Sequence, residues 1–119
     1  MYCNFKDGII REGRSIGYGS ILGNIKGGII RKGSSSTPGY GDIVGNVKDG
    51  VIREGTSSTP GYGNAIGNVK NDYVYKGSST SAGYGTKVGQ VKDFTIPGME
   101  REKDEDMVAC YHFLVKKFL

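Results

Sequence analysis

The sequence has few cysteines and prolines, one histidine and no long run of apolar residues. Its most apolar stretch, near the C-terminus, is interrupted by His112, Lys116 and Lys117, so it falls far short of the roughly 20 residues that a membrane-spanning helix needs. Cys3 and Cys110 are too few for the disulfide framework of a small secreted scaffold. No basic-then-apolar leader opens the chain. These absences predict a cytoplasmic protein with reduced thiols and no membrane span.

Patterns that carry catalysis or metal binding are also missing. His112 is the single histidine and has no serine or cysteine nucleophile in an evident arrangement with it. The acidic stretch 100–106 lacks the ligand order and the glycine of a calcium loop, and no phosphate-binding glycine loop is present. The sequence therefore predicts a protein that is not an enzyme and that uses no cofactor and no metal.

Glycine is what the sequence has in abundance, with 21 glycines against 3 prolines in 119 residues. Regularly spaced Val, Ile and Tyr argue against disorder, so the composition is typical of a turn-rich β protein. A chain of this length forms one compact domain. We expect residues 1–98 to form a tandem β-hairpin repeat region and residues 99–119 to form a C-terminal helix within the same domain.

The repeat has a period of about 22 residues and is the strongest pattern in the chain. Its copies begin at an asparagine, or at a glutamine in the last copy, and span residues 4–11, 24–31, 46–53, 68–75 and 90–96. A unit this short cannot bury a core alone and must pack on its neighbours. Four connecting segments of similar length fit either a closed ring of hairpins or an open row, and their near equality favours a compact rosette.

Each copy has the pattern of a β-hairpin. Asp49-Gly50 lies between two short runs of β-formers, and both central positions of such a two-residue turn need positive φ. This turn makes Val47 and Ile52 face each other on one side of the hairpin. The equivalent residues of all five units are predicted to form the main core: Phe5, Ile10, Ile25, Ile30, Val47, Ile52, Val69, Val74, Val91 and Ile96.

A second apolar position and a glycine precede each asparagine of the later copies. The apolar residues, predicted to form a second core layer, are Leu22, Val44, Ile66 and Val88. The glycines that follow them are Gly23, Gly45, Gly67 and Gly89. Glycine inside a strand pattern indicates a β-bulge or a close approach of another backbone.

The face of each hairpin opposite the core is predicted to be basic and exposed to solvent. It carries Lys6, Lys26, Lys48, Lys70 and Lys92, followed by Arg11, Arg31 and Arg53. Residues 1–98 hold 12 Lys/Arg and 7 Asp/Glu, a net charge of +5. Interleaved acids dilute this charge and no nucleic-acid-binding motif is present, so nucleic acid is an unlikely partner.

The connecting segments end in Gly-Tyr-Gly, which places Tyr18, Tyr40, Tyr62 and Tyr84 at equivalent positions. One interpretation is structural, with the flanking glycines allowing the chain to turn while each ring packs on the next hairpin. The other is that the four tyrosines converge on a groove or axial pocket and bind a sugar, a nucleotide or another small polar molecule. We expect the structural role to dominate.

The C-terminal segment has helical periodicity, with an apolar stripe flanked by acids at its start and lysines at its end. The stripe residues are Met107, Tyr111, Leu114, Val115 and Phe118. The stripe is too continuous for a solvated helix, so the helix is expected to pack on the hairpins or on another subunit. Because the stripe is wider than a small glycine-rich sheet is expected to cover, these residues are predicted to form a homo-oligomer interface. A protein partner fits the same surface.

The repeats of residues 4–96 resemble those of bacterial tandem-hairpin proteins, and their arrangement is similar to the β-flower domains, in which hairpins surround a pseudo-rotation axis. A more distant likeness is to MORN repeats, whose strand aromatic residues are replaced here by Ile10, Ile30 and Ile52. The β-flower resemblance implies a mainly β fold and no activity. The sequence thus predicts a non-enzymatic, self-associating structural or interaction module, with a small-ligand-binding module as the alternative.

Overall fold

The computed structural model describes all 119 residues and contains nine β-strands and one α-helix. The strands are β1 (Cys3–Lys6), β2 (Ile9–Glu12), β3 (Ser20–Lys26), β4 (Ile29–Lys32), β5 (Asp42–Lys48), β6 (Val51–Glu54), β7 (Asn64–Lys70), β8 (Tyr73–Lys76) and β9 (Thr86–Gln90). A 3₁₀ turn, Val91–Phe94, follows β9. Helix α1 spans Asp104–Cys110 and continues as a π-helical turn, Tyr111–Val115.

The nine strands form one antiparallel sheet in which each strand pairs with its neighbours in sequence. In the third hairpin Val47 lies opposite Ile52, the register predicted from the sequence. Its turn residues Asp49 and Gly50 have φ values of 52° and 80°, both positive as a tight hairpin turn requires. The predicted fold class, a mainly β protein of repeated hairpins with one C-terminal helix, is confirmed.

The fifth unit forms one strand, β9, and no hairpin, so this part of the prediction is wrong. Its turn position holds Asp93-Phe94, and a bulky Phe94 does not fit the positive φ that the second turn residue needs. The chain takes the 3₁₀ turn Val91–Phe94 instead. Val91 and Ile96 are nevertheless buried, with exposed fractions of 7% and 0%, because the segment still lies against the core.

Backbone hydrogen bonds join the five units into a closed circle. The first core residue of each hairpin donates its N–H to a carbonyl of the preceding unit: Ile25 to Gly8 (3.0 Å), Val47 to Gly28 (2.9 Å), Val69 to Gly50 (2.8 Å) and Val91 to Asp72 (2.8 Å). Phe5 N–H donates in the same way to the Pro97 carbonyl at 2.8 Å, which links the last unit to the first. Of the two arrangements that the sequence leaves open, the structure is the ring.

The inner face of the ring and helix α1 share one hydrophobic core. All ten predicted hairpin core residues are buried in it, together with Met107, Val108, Ala109 and Cys110 of the helix. Glu105 accepts a hydrogen bond from Gly50 N–H at the turn end of the third hairpin (3.0 Å), and the Phe113 ring lies against Gly45 at its other end. The helix and its π-helical turn therefore run alongside the third hairpin, against the inner face of the ring.

This placement changes the interpretation of the apolar stripe on the helix. Met107 and Leu114 are each 8% exposed within the single chain, and Tyr111, Val115 and Phe118 pack against the core. Of the two placements that the sequence leaves open for this helix, the structure has the one in which the stripe packs on the hairpins. Homo-oligomerisation itself stays a prediction. The helix is also shorter than predicted for residues 99–119, because it begins at Asp104 and its π-helical turn ends at Val115.

The four strand glycines explain how the C-terminal segment comes so close to the ring. Strand β6 pairs Ile52 with Gly67 of β7 but pairs its next residue, Arg53, with Ala65. Ile66 is therefore an extra, bulged residue of β7, and the other units repeat this pattern. Each glycine beside a bulge is covered by one large side chain: Leu114 on Gly23, Phe113 on Gly45, Leu119 on Gly67 and Phe94 on Gly89. At Gly23, Gly45 and Gly67 a Cβ would collide both with that side chain and with a backbone carbonyl oxygen of the neighbouring strand, which confirms the bulge and the close backbone approach at these three positions. At Gly89 the nearest atoms are side-chain atoms at 3.1–3.3 Å, so the bulge alone is confirmed there.

The second core layer is confirmed at three of its four positions. Leu22, Val44 and Ile66 are partly buried and pack against the core. Val88 is 37% exposed, so its predicted place in this layer is wrong. The carbonyl of its counterpart Val44 accepts a hydrogen bond at 3.2 Å from the N–H of Gly55, the residue that follows β6, whereas β9 has no strand after it.

Candidate functional site

A buried asparagine fixes the backbone of each Gly-Tyr-Gly loop. Asn46 lies in β5 on the outer face of the ring, between the inward-facing Gly45 and Val47, and its side chain is fully buried. Its Nδ2 donates to the Tyr62 carbonyl at 2.7 Å, and Gly61 N–H donates to its Oδ1 at 3.0 Å. Asn4, Asn24 and Asn68 make the equivalent contacts with their own loops.

The glycines on either side of the tyrosine make this anchoring possible. Gly61 and Gly63 have φ values of 97° and 109°, a region that residues with a side chain rarely adopt. A Cβ on Gly63 would also lie 2.7 Å from the carbonyl oxygen of Glu54. The backbone on both sides of Tyr62 is thus held by conformational restriction, by the asparagine and by the adjacent strand.

The outer face of the ring differs from the solvent-exposed face that the sequence predicts. The loops lie over it, and Pro38 and Pro60 reach the turns of the preceding hairpins at Gly8 and Gly28. Beneath this cover Ile9, Ile29 and Val51 are 2–5% exposed, and the four asparagines are fully buried. Only the lysines remain exposed as predicted, while Arg11, Arg31 and Arg53 are partly covered. The asparagine repeated at an outward-facing position was the signal for this buried layer.

The four loop tyrosines are held out in solvent. Their exposed fractions are 74% for Tyr18, 65% for Tyr40, 64% for Tyr62 and 65% for Tyr84. The interpretation that the rings pack on the next hairpin is therefore wrong. They do not line a common pocket either, because none of the four tyrosines is among the residues that line the clefts of the structure. Binding of a ligand by these tyrosines stays a prediction.

A lysine crosses each loop directly beside its tyrosine. The Lys26 stem lies 3.3 Å from the point where a Cβ of Gly39 would stand, and its Nζ lies 3.8 Å from that point. Lys48 repeats this contact at Gly61, with distances of 3.2 and 3.9 Å. Lys6 and Lys70 contact Gly17 and Gly83 in the same way. In each unit a lysine stem thus runs alongside the glycine that precedes the loop tyrosine.

A cleft of about 480 Å³ lies at the turn end of the ring, between the second and third hairpins and the start of α1. Lys48, Lys103, Glu105 and Asp106 are among the residues that line it. Burial, and secondarily the negative charge of Glu105, raises the pKa of Asp106 to about 6. The cleft therefore contains one carboxyl that is partly protonated at mildly acidic pH.

The groups with catalytic potential are enclosed in the core. His112 is 3% exposed, and burial lowers its pKa to about 4. Its Nδ1 accepts hydrogen bonds from Phe118 N–H (3.0 Å) and Leu119 N–H (3.1 Å), so this nitrogen is not free to act as a base. Cys3 and Cys110 are buried free thiols whose pKa values burial raises. Both side chains are therefore protonated thiols at neutral pH, and not the reactive thiolates.

Comparison with known proteins agrees with this architecture. A family model described as "6-fold beta flower protein" matches residues 1–86, the part of the chain that contains the four hairpins and their tyrosine loops. Comparisons with curated proteins and with solved structures found no match. None of the helices has the length and apolar character that crossing a membrane requires. The match covers well over half of the chain and confirms the β-flower resemblance: the chain belongs to the 6-fold beta flower protein family.

Proposed function

We propose that this protein is a non-enzymatic interaction module that contacts its partner through Tyr18, Tyr40, Tyr62 and Tyr84. The observation that carries the proposal is their exposure of 64–74% on loops whose backbone is fixed by buried asparagines. The same large aromatic side chain is exposed at the equivalent position of all four units. Tyrosine is enriched at protein interfaces, where its ring supplies contact area and its hydroxyl a hydrogen bond.

The rigidity of the loops supports a binding role. Association has an entropic cost when mobile loops must be ordered, and a loop that is ordered beforehand avoids that cost. At Tyr62 the main chain is held on both sides of the residue by the Asn46 side chain, so only the tyrosine side chain has torsions left to restrict. The neighbouring Lys48 adds a cation that an acidic group of the partner would meet.

The separation of the four rings supports a large or multivalent partner over a single small molecule. Each tyrosine lies on the outer face of its own unit, so one small ligand has no pocket shared by the four rings. A protein partner that contacts several units gains avidity from them. A second copy of this chain is the simplest such partner, and we propose self-association through the tyrosine loops in place of the helix stripe.

The test compares the wild-type chain with a variant in which all four loop tyrosines are changed to serine. The anchoring asparagines bind backbone groups, so this variant keeps every loop hydrogen bond. Tyr2→Ser is the matched control, because Tyr2 is 61% exposed but lies outside the loops. We expect sedimentation at micromolar concentration, and affinity capture from a cell extract, to show association with the wild type and the control only. Equal association by the quadruple variant would refute the proposal.

A further inference from the structure

The last four residues, 116–119, form a tail that folds back onto the π-helical turn. Lys116 leaves the helical conformation, with φ −155° and ψ 122°, and its N–H donates to the Tyr111 carbonyl at 2.9 Å. The next contacts converge on one atom, because Phe118 N–H and Leu119 N–H both donate to Nδ1 of His112. These are the two side-chain-to-backbone hydrogen bonds that hold the tail in place.

The tail also closes the core at the bulge end of the ring. The Phe118 ring stacks on Phe94 with a centroid distance of 4.0 Å and an interplanar angle of 13°. It meets the edge of the His112 ring at 5.4 Å. Leu119 lies over the backbone of Gly67, its methyl carbon 2.7 Å from where a Cβ would stand. Moving the tail away would expose Phe94 and the backbone groove at Gly67.

We infer that this tail is a latch, which the neutral imidazole of His112 holds closed and which protonation of that imidazole opens. The effect of protonation follows from the acceptor of both hydrogen bonds, Nδ1 of His112. Only an unprotonated ring nitrogen accepts hydrogen bonds, and both nitrogens of the imidazolium ion are donors. A proton on Nδ1 would face two backbone N–H groups at about 3 Å, so it would replace two attractive contacts by repulsive ones.

The charged surroundings favour the neutral form in the closed state. Burial, and secondarily the charge of Lys117 in the tail, lowers the pKa of His112 from 6.5 to about 4, against the opposing effect of Glu54 of β6. The 3₁₀ turn that packs on the tail contributes the uncharged Phe94. Because the pKa is depressed in the closed state, closure is fully favoured above pH 6.5 and weakens as the pH falls towards 4. The fall of the pKa from 6.5 in the open state to about 4 in the closed state corresponds to a decrease of about 300-fold in the equilibrium constant for closing the tail at acidic pH.

The latch gives the fold a pH-dependent apolar surface. In the open state the rings of Phe94 and Phe118 and the groove at Gly67 would face solvent together. An exposed apolar patch of this kind is a surface for association. The inference does not depend on the tyrosine loops, which lie on the outer face of the ring.

The first test follows amide hydrogen exchange at Phe118 and Leu119 by NMR, corrected for the intrinsic effect of pH. We expect protection of these two amides in the wild type at pH 7 to fall by at least tenfold by pH 4.5, while the amide of Ile52 in the ring keeps its protection. His112→Asn is the matched variant, since its side-chain oxygen replaces the acceptor and does not titrate in this range. It should keep both amides protected at both pH values. Equal protection of the wild-type amides at pH 7 and 4.5 would overturn the latch.

The second test needs no variant and decides the matter if His112→Asn does not fold. Titration of the imidazole in the wild-type chain, followed by the NMR shifts of its ring nitrogens, should show an unprotonated Nδ1 at pH 7 and a midpoint well below 6. The protection of the tail amides should be constant above about pH 6.5 and should fall progressively as the pH decreases from 6.5 towards that midpoint. A midpoint near 6.5, or tail protection that stays constant across this pH range, would contradict the inference.

Discussion

Replacing Asn46 by alanine removes the side chain that fastens the third loop to the ring. The change leaves Gly61 N–H and the Tyr62 carbonyl without the partners that they have at 3.0 and 2.7 Å. Each unsatisfied buried group costs about 1–3 kcal/mol. Because the loop has one exposed side from which water can reach these groups, we expect the free energy of unfolding to fall by about 2–4 kcal/mol.

Urea denaturation of the wild type and the variant measures this loss directly. Asn64→Ala is the matched control, since Asn64 is exposed in the same repeat and its loss should stay within about 0.5 kcal/mol. Asn46→Asp adds a second check, because it places a carboxylate oxygen opposite the Tyr62 carbonyl and should recover stability when the carboxyl is protonated. If Asn46→Ala is no less stable than Asn64→Ala, the asparagine does not anchor the loop.

Four further predictions concern the ring, its helix and the cleft. Gly50→Val places a β-branched residue at φ 80° and should cost about 1 kcal/mol or more in thermal melts, and an unchanged melting temperature would contradict the turn. Ile52→Ala should cost about 2–5 kcal/mol and Lys48→Ala less than about 0.5 kcal/mol, and reversed denaturant midpoints would mean that the core face is wrong. Gly45→Ala should displace Phe113 and destabilise the chain by about 1–3 kcal/mol, which a chemical denaturation curve and the NMR shifts of that ring would detect. Asp106→Asn should stabilise the chain by about 1–2 kcal/mol at pH 7 after allowance for solvent screening. Because the pKa of Asp106 is raised in the folded state, the extra stability of the variant should disappear as the pH falls from 6 to 3.8. Equal extra stability at pH 6 and pH 3.8 would refute this prediction.

The local features of the hairpins follow from the sequence because their causes are local. The Asp49-Gly50 pair specifies the turn, and the turn sets Val47 opposite Ile52. Phe94 is also recognisable from the sequence as unsuited to a turn, but the 3₁₀ turn that replaces the hairpin does not follow from the sequence. Closure of the ring depends on one hydrogen bond between Phe5 and Pro97, and such a long-range contact leaves no periodic pattern in the sequence.

The sequence identifies the loops of the candidate site but not their environment. The repeated Gly-Tyr-Gly segments mark the loops, while the exposure of the rings depends on where the helix and the loops pack. Strand alternation places Asn46 on the outer face and therefore predicts solvent around it. The loop that buries Asn46 is 15 or more residues away in sequence, and strand periodicity does not report such a cover. Helical periodicity likewise identifies an apolar stripe but not the surface that covers it.

The central claim is that the four loop tyrosines are held in solvent on a fixed backbone, and the accessibility of their rings in solution tests it most directly. Photochemically induced nuclear polarisation in NMR reports which tyrosine rings a dissolved dye can reach. We expect strong signals from Tyr18, Tyr40, Tyr62 and Tyr84, and a weak one from Tyr111, which packs against the core. Silent loop tyrosines in the isolated chain would show that their rings are not held in solvent.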